Sequence, residues 1–557
     1  MSKKKKGQFS RSIIGRNLSI GAIAAENDDN YLFDCFIHLP IFAEITDLNN
    51  SKSILLGRTG CGKTAILRYI EEKMQNVFAI DPTEMALEYV ASSTAIRLFE
   101  ENGVDMNLFY QLLWKHVICV EIIRQRFHVN SEGESSSLFI KLFDYLRTDE
   151  RKRKALEYLR DWGTKLWVNI DENIKEITQK FENELRVALG ANAMFVEGQV
   201  AGGAKFSEEI KKEIKDRGTE VVSKLQMAKL TEIIDLLAAY GFDDPQQKYF
   251  LLIDGIDSKW ADDSLRYKLI RALIETLKRF RKIRNLKIVV ALRTDVLERA
   301  LMETKDAGYQ REKYDDMISE IGWEEKELRA LVNERINLLY RRQYTKQNVR
   351  FEDLFPYKVG ATDPFRFLIE RTLRRPRDII AFINQCLQEG VDQTEITARN
   401  IRDAELEYSR KRLNALEEEW GSVYKSFAAL IDFIKQQSDT FVLSGVATRD
   451  IMEYTALTIS EGDQDNRGDL FRTAKEVKES SSIGAITSLA RKIIEALYRV
   501  GAVAIKMDSS ERFRYCYIDQ PIIAANSIPM DAKVRVHPML LRALNVRESA
   551  DRLSEAP

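Results

Sequence analysis

Four short apolar runs punctuate the chain, each ending on or just before a polar residue or a glycine: Ser53-Ile54-Leu55-Leu56, Val77-Phe78-Ala79-Ile80-Asp81, Tyr249-Phe250-Leu251-Leu252-Ile253-Asp254 and Leu286-Lys287-Ile288-Val289-Val290-Ala291-Leu292-Arg293. Runs of this length, too continuous for a half-exposed strand, predict buried parallel strands. Residues 65–73 follow the first run with no helix breaker, and Pro82 ends the second. Between the second and third runs, residues 95–240 are mostly helical in pattern and charged. They are broken by Gly198, Gly202 and Gly203 within 193–206, which reads as a hairpin. No ordinary connection is that long, so this stretch is read as a large helical insertion, either a buttress or a surface for a partner or another copy.

Further along, Leu328, Leu331, Val332, Ile336 and Leu339 recur on one face of a helix opened by Trp323. Ile486, Leu489, Ile493, Leu497 and Val500 do the same in a later helix. Residues 503–507 and 513–517 then alternate around the polar turn 508–512, which predicts a hairpin. Helices followed by a hairpin give the outline of a winged-helix domain. Arg491, Lys492, Arg499, Lys506, Arg512 and Arg514 lend it positive charge suited to a DNA contact, against the plainer reading that the wing packs on its neighbours.

The chain has 557 residues, too many for one core, so several domains are expected. Its 85 Lys+Arg against 86 Asp+Glu restrict any polyanion-binding surface to a local patch. Cys35, Cys61, Cys119, Cys386 and Cys516 are scattered, and neither they nor the four histidines have metal-ligand or disulfide-framework spacing. Cys61 reads as a small tolerated residue that is open to alkylation. No apolar stretch reaches bilayer length, and Lys3-Lys4-Lys5-Lys6 lacks the apolar segment of a secretory signal. A cytoplasmic protein without a membrane partner is expected.

The strongest chemistry is Gly57-Arg58-Thr59-Gly60-Cys61-Gly62-Lys63-Thr64, a complete GxxxxGK[ST] pattern between a strand and a helix. Glycines let backbone N–H groups converge on a phosphate, Lys63 supplies a point charge between β- and γ-phosphates, and the Thr64 hydroxyl suits Mg²⁺. Asp254, at the end of a buried strand, is the candidate second Mg²⁺ ligand. Asp257 is either the residue that orients or deprotonates the attacking water, or a helix N-cap shared with Ser258. Arg293 or Thr294, ending the fourth strand, is placed to sense the γ-phosphate, with Asp295 expected to cap the following helix. The chain has no Asn-Lys-x-Asp tetrad, which favours ATP over a guanine nucleotide.

These motifs, with Arg374-Arg375-Pro376-Arg377-Asp378, resemble the AAA+/STAND division of P-loop ATPases, some of which sit in prokaryotic antiphage defence loci. The resemblance spans about residues 31–525. It implies an additional-strand P-loop NTPase core, a helical lid and a C-terminal winged-helix domain, with Asp254 as the Mg²⁺ aspartate and Arg293 as a sensor. It also implies that Arg375 and Arg377 reach the nucleotide from the lid. Gly255 and Ser258 stand where members often carry Glu, which points to a slow switch rather than a fast motor.

The expected division is a basic tail (1–30), a core in two parts (31–94 and 241–344), the insertion (95–240), the lid (345–418), the winged helix (419–525) and a C-terminal tail (526–557). The expected activity is that of an ATP- and Mg²⁺-dependent switch or scaffold that oligomerises or engages a partner protein. The alternatives are a DNA-remodelling ATPase using the winged helix and a nucleotide-binding adaptor without hydrolysis.

Overall fold

The computed structural model describes residues 13–80, 106–129, 227–257 apart from 243 and 245, 263–304, 312–343, 348–462 apart from 422, and 468–549, with isolated further positions between 90 and 220. The hairpin read over 193–206, Ser258 and the four N-terminal lysines lie outside the described residues, as does most of the insertion. The protein divides into two compact units: residues 38–58 with 63–321, and residues 1–37 and 59–62 with 322–557.

The first unit is mixed α/β. Helix α1 (Pro40–Thr46) precedes β1 (Ile54–Gly57), then α2 (Lys63–Lys73), β2 (Val77–Ile80), α3 (Asn107–Phe127), α4 (Met227–Leu236), β3 (Tyr249–Ile253), α5 (Asp263–Phe280), β4 (Leu286–Arg293), α6 (Thr294–Glu303) and β5 (Ile318–Glu320). The five strands form a parallel sheet in the order β2-β3-β4-β1-β5, so β4 lies between β1 and β3. Every residue of β1 and β3 is buried, which accounts for their continuous apolar runs. On α3, the buried Trp114 donates its Nε1–H to the Leu269 carbonyl of α5 at 2.9 Å, so the indole satisfies its polar atom inside the core. Lys287 interrupts the apolar run of β4 yet is buried. Its Nζ donates to the carbonyls of Asp47 and Asn50 at 2.8 and 2.7 Å, and burial lowers its pKa to about 8.

Strand β5 was not expected. Its three residues, two of them polar, carry no periodic signal, and its place depends on pairing with β1.

The second unit is largely helical. It contains α7 (Glu325–Gln343), α8 (Pro364–Ile369), α9 (Pro376–Glu389), α10 (Ala398–Trp420), α11 (Phe427–Lys435), β6 (Thr440–Val442), α12 (Arg449–Gly462), α13 (Asp469–Ser480), α14 (Ile483–Val500), β7 (Val503–Lys506), β8 (Lys533–Val536) and α15 (Pro538–Leu544). The apolar faces expected on α7 and α14 are buried in its core.

Three expected boundaries differ from the structure. First, α7 belongs to this unit and not to the sheet-bearing one, because its buried face joins the C-terminal core, so the break falls at 322 and not 344. Second, the described part of the expected N-terminal tail is packed. Ile14, Leu18 and Ile20 are buried, and Asp28 pairs with Arg335 at 2.5 Å with both side chains nearly inaccessible. Third, the expected tail 526–557 contains β8 and α15. Strand β8 sits between β6 and β7 in an antiparallel sheet ordered β6-β8-β7, and Ser409 Oγ of α10 donates to the Met539 carbonyl at 2.5 Å.

This pairing also corrects the expected hairpin. β7 aligns along its whole length with β8, from Val503↔Val536 to Lys506↔Lys533. Between 503–507 and 513–517 there is a single bridge, Ile505↔Arg514. A ladder four residues long with a distant partner outcompetes the local turn, a choice no local pattern encodes.

Candidate functional site

In the sheet-bearing unit, β1 delivers the chain to the glycine loop and α2 begins directly at Lys63. Gly57 stands opposite Arg293 in the β1–β4 register, which brings the C-terminal ends of these neighbouring strands to the same edge. The Lys63 ammonium donates to the carbonyls of Gly57 at 3.1 Å and Arg58 at 3.4 Å. Thr64 Oγ1 donates to Asp254 Oδ2 at 2.9 Å across 190 positions of sequence.

Asp254 accepts a second hydrogen bond at Oδ1 from the Gly255 amide at 2.9 Å. Burial raises its pKa above the usual carboxylate value. The bonds from Gly255 and Thr64 and the Lys63 charge oppose that rise, while the Asp257 charge adds to it. Gly255 has φ +76°, a conformation that permits the turn between the two aspartates without strain. Asp257 is half-buried, and the segment that would decide its capping role lies outside the described residues.

Oxygen donors of this kind fit Mg²⁺, which takes one or two carboxylates and a hydroxyl and completes its shell with phosphate and water. The observation behind that fit is a half-buried carboxylate, Asp254, bonded to the Thr64 hydroxyl and close enough to Asp257 to feel its charge. Among the described residues no group of three or more His, Cys, Asp or Glu side chains is placed to hold a metal by itself.

Arg293 is engaged elsewhere than expected. Its guanidinium makes a two-pronged bond to Asp295, Nε to Oδ1 at 3.0 Å and Nη2 to Oδ2 at 2.7 Å. Asp295 therefore grips the preceding arginine from the first turn of α6, and Arg293 itself occupies the N-cap position with no side-chain cap bond. The neighbouring Thr294 is buried, and its Oγ1 has no hydrogen-bond partner among the described residues.

Residues 59–62 group with the second unit, where three donors take three consecutive loop carbonyls. Arg375 Nη1 donates to Thr59 O at 2.5 Å, the Arg377 amide to Gly60 O at 3.4 Å, and Trp323 Nε1 to Cys61 O at 2.8 Å. Holding the carbonyls on this side turns the peptide N–H groups away from it, the polarity an anion nest requires. Gly60 has φ +78°, and a Cβ there would come within 2.8 Å of the Arg377 Cβ, so this position is closed to side chains. The Thr59 hydroxyl is buried without a partner among the described residues. Cys61 is 5% exposed, which removes the expectation of an open alkylation site.

Arg375 and Arg377, expected to face a nucleotide, instead use their guanidiniums within the protein. Arg375 bonds Thr59 and Asp378, and Arg377 Nε donates to Ile23 O at 3.4 Å. Behind Arg375 lies a buried network. Asp378 Oδ2 accepts from Arg375 Nε at 2.8 Å and from the Leu373 amide at 3.1 Å, and Oδ1 accepts from Arg412 of α10. Glu419 stands 3.5 Å from Arg375. Nothing in the sequence marks Trp323 as a site residue, since a lone tryptophan before a helix has no pattern tying it to a loop 262 positions away.

Three of the six basic positions read as a DNA face are ion-paired. Arg512 pairs with Asp519 at 2.5 Å, Arg514 with Glu511 at 2.6 Å, and Lys492 with Asp469 at 2.8 Å. Among the described residues no helix is long and apolar enough to cross a membrane.

Residues 326–417, running from α7 through most of α10, match the model of a family described as a FunZ-associated C-terminal helical domain. The match covers less than a fifth of the chain. No curated protein matches the sequence.

Proposed function

We propose that the protein is an Mg²⁺-dependent ATP-binding and ATP-hydrolysing switch, built on an additional-strand P-loop core with a helical lid and a winged-helix domain. One observation carries the reading: Thr64, second residue of the helix that leaves the glycine loop, bonds the carboxylate of Asp254 at the end of the strand two places away in the sheet. A hydroxyl and an aspartate in that relation form the Mg²⁺ pair of P-loop NTPases. The sheet order, with β4 between β1 and β3, supports the additional-strand assignment. The course from α11 through β6, three longer helices and the β7–β8 ladder supports the winged-helix assignment.

In this reading Thr64 and Asp254 would hold Mg²⁺, which would neutralise charge developing on the transferred phosphoryl group. Lys63 would exchange the Gly57 and Arg58 carbonyls for phosphate oxygens, and loop N–H groups and the Thr59 hydroxyl would donate to the same anion. Asp257 would orient the attacking water. Because Arg293 is held by Asp295, Thr294 is the better γ-phosphate sensor. Coupling of nucleotide state to oligomerisation or to a partner protein, and a setting in prokaryotic defence, rest on the resemblance of the motifs to the AAA+/STAND division.

The test is equilibrium binding of fluorescent ATP with and without Mg²⁺. Lys63→Ala is expected to abolish binding, and Asp254→Asn to erase the Mg²⁺ dependence. Unchanged ATP affinity in Lys63→Ala would sink the assignment.

A further inference from the structure

A cavity of about 1160 Å³ opens within the helical unit, walled by the loop before α8, α8 itself, one face of α10, the segment around Tyr515 and the chain from Arg535 to Glu548. Its lining carries seven arginines and no lysine against four carboxylates. All four carboxylates are occupied. Glu370 pairs with Arg366, Glu405 and Glu548 with Arg371, and Asp363 with Arg329. Arg535 stacks its guanidinium over the Phe513 ring at 3.8 Å. That leaves Arg374, Arg402, Arg542 and Arg547 on the walls with no ion-pair partner among the described residues.

Arg402, Arg542 and Arg547 are exposed and Arg374 is half-buried, so four guanidiniums around one concavity are open to an anion that joins them. The absence of lysine selects further, because the planar guanidinium fork matches phosphate oxygens two at a time. An independent observation comes from Arg374. Its backbone is left-handed, φ +49°, a conformation that glycine or asparagine adopts at less cost. An arginine kept in that conformation on the wall of an arginine-rich cavity is strain retained for its side chain.

The volume decides what kind of phosphate ligand fits. Small-molecule pockets run from about 300 to 1,000 Å³, so this cavity exceeds what one nucleotide needs. A concave wall also suits a flexible strand better than a rigid duplex. We infer that this cavity binds a single-stranded oligonucleotide through its phosphodiester backbone, with Arg374, Arg402, Arg542 and Arg547 as the phosphate contacts. The site differs from the wing surface, where Arg512 and Arg514 are ion-paired, and does not rest on the nucleotide reading of residues 57–64.

The experiment is fluorescence anisotropy of the intact chain with labelled single strands of ~12 nucleotides, within the range one single-strand site covers. DNA and RNA are tested in separate arms over a salt series. Binding of either strand at low salt, weakening as salt rises, is expected. Arg402→Glu combined with Arg542→Glu should lower affinity at least tenfold. With each phosphate contact contributing about 0.7 to the slope of log affinity against log salt, the slope should fall by about 1.4. Arg512→Glu combined with Arg514→Glu should bind as the unaltered protein does.

If the double charge reversal melts early, Arg402→Ala and Arg547→Ala replace it, and each must weaken binding while leaving the thermal transition in place. The inference is overturned if neither strand binds at low salt, or if the cavity variants bind within twofold of the original. It also fails if the wing variant loses as much affinity as they do, or if duplex DNA or inorganic phosphate competes on equal terms.

Discussion

Single residues decide what the candidate site can do, and several of them act through neighbours no motif names. Arg293 ends β4 where a sensor would stand, yet the residue two places on takes both prongs of its guanidinium. A buried hydroxyl left without a partner is more costly to keep than an exposed one, so the Thr294 side chain needs a ligand more than Arg293 does. Thr294→Val, which preserves shape, should leave ATP affinity within about twofold. It should slow turnover roughly tenfold or more, the worth of one hydrogen bond to a charged group. Paired binding and steady-state hydrolysis measurements separate the two quantities; unchanged turnover would return the sensor role to Arg293. Gly57, Gly60, Gly62, Lys63 and Thr64 were legible as a set because GxxxxGK[ST] is a local pattern of eight residues. The orphan hydroxyls of Thr59 and Thr294 were not legible, since satisfaction of a hydrogen bond depends on what folds over it.

At the scale of elements, the connection from α8 to α9 carries most of the consequence. Burial pushes the Asp378 carboxyl up, but Arg375 and Arg412 outweigh it and hold its pKa at about 2. Removing one charge of such a buried cluster leaves the others uncompensated, so Asp378→Asn should destabilise the helical unit by about 3–5 kcal/mol. The linkage has a definite sign. A carboxyl with an ordinary value of 3.8 that is held near 2 in the fold adds stability present above pH 3.8, and that stability is lost as pH falls through about 2. Urea midpoints at pH 7, 4 and 2.5 should fall for the unaltered protein over the acid range, and that component should be missing from the variant. Equal midpoints for the two proteins at pH 7 would refute the network. The sequence marks this connection with a run of arginines but does not say which faces where. Arg374 lines the cavity while Arg375, its neighbour, reaches the Thr59 carbonyl, and only the left-handed turn at 374 separates the two directions.

For the whole molecule, the segments that look dispensable are parts of the core. A chain ended at residue 525 would lose β8 and α15, leaving β6 and β7 without the strand that joins them and α10 without the helix packed on it. Such a chain should lose the cooperative thermal transition of the helical unit, as read by circular dichroism, while a chain ended at 549 should keep it. A cooperative melt in the shorter chain would show that the C-terminal residues are accessory. The four apolar runs and the glycine loop were readable because burial on both faces and a fixed glycine spacing each leave a pattern within a few neighbouring positions. So were the amphipathic faces of α7 and α14, which follow a period of 3.6. The sequence by itself therefore determined which segments become the long strands and helices, and where an anion could meet a glycine loop. The tertiary structure alone decided the short strands β5 and β8, the ladder of β7 with a partner some thirty residues away, and the arginines left unpaired in one cavity. Each of these depends on long-range pairing or on competition between distant partners, and neither leaves a periodic trace in the chain.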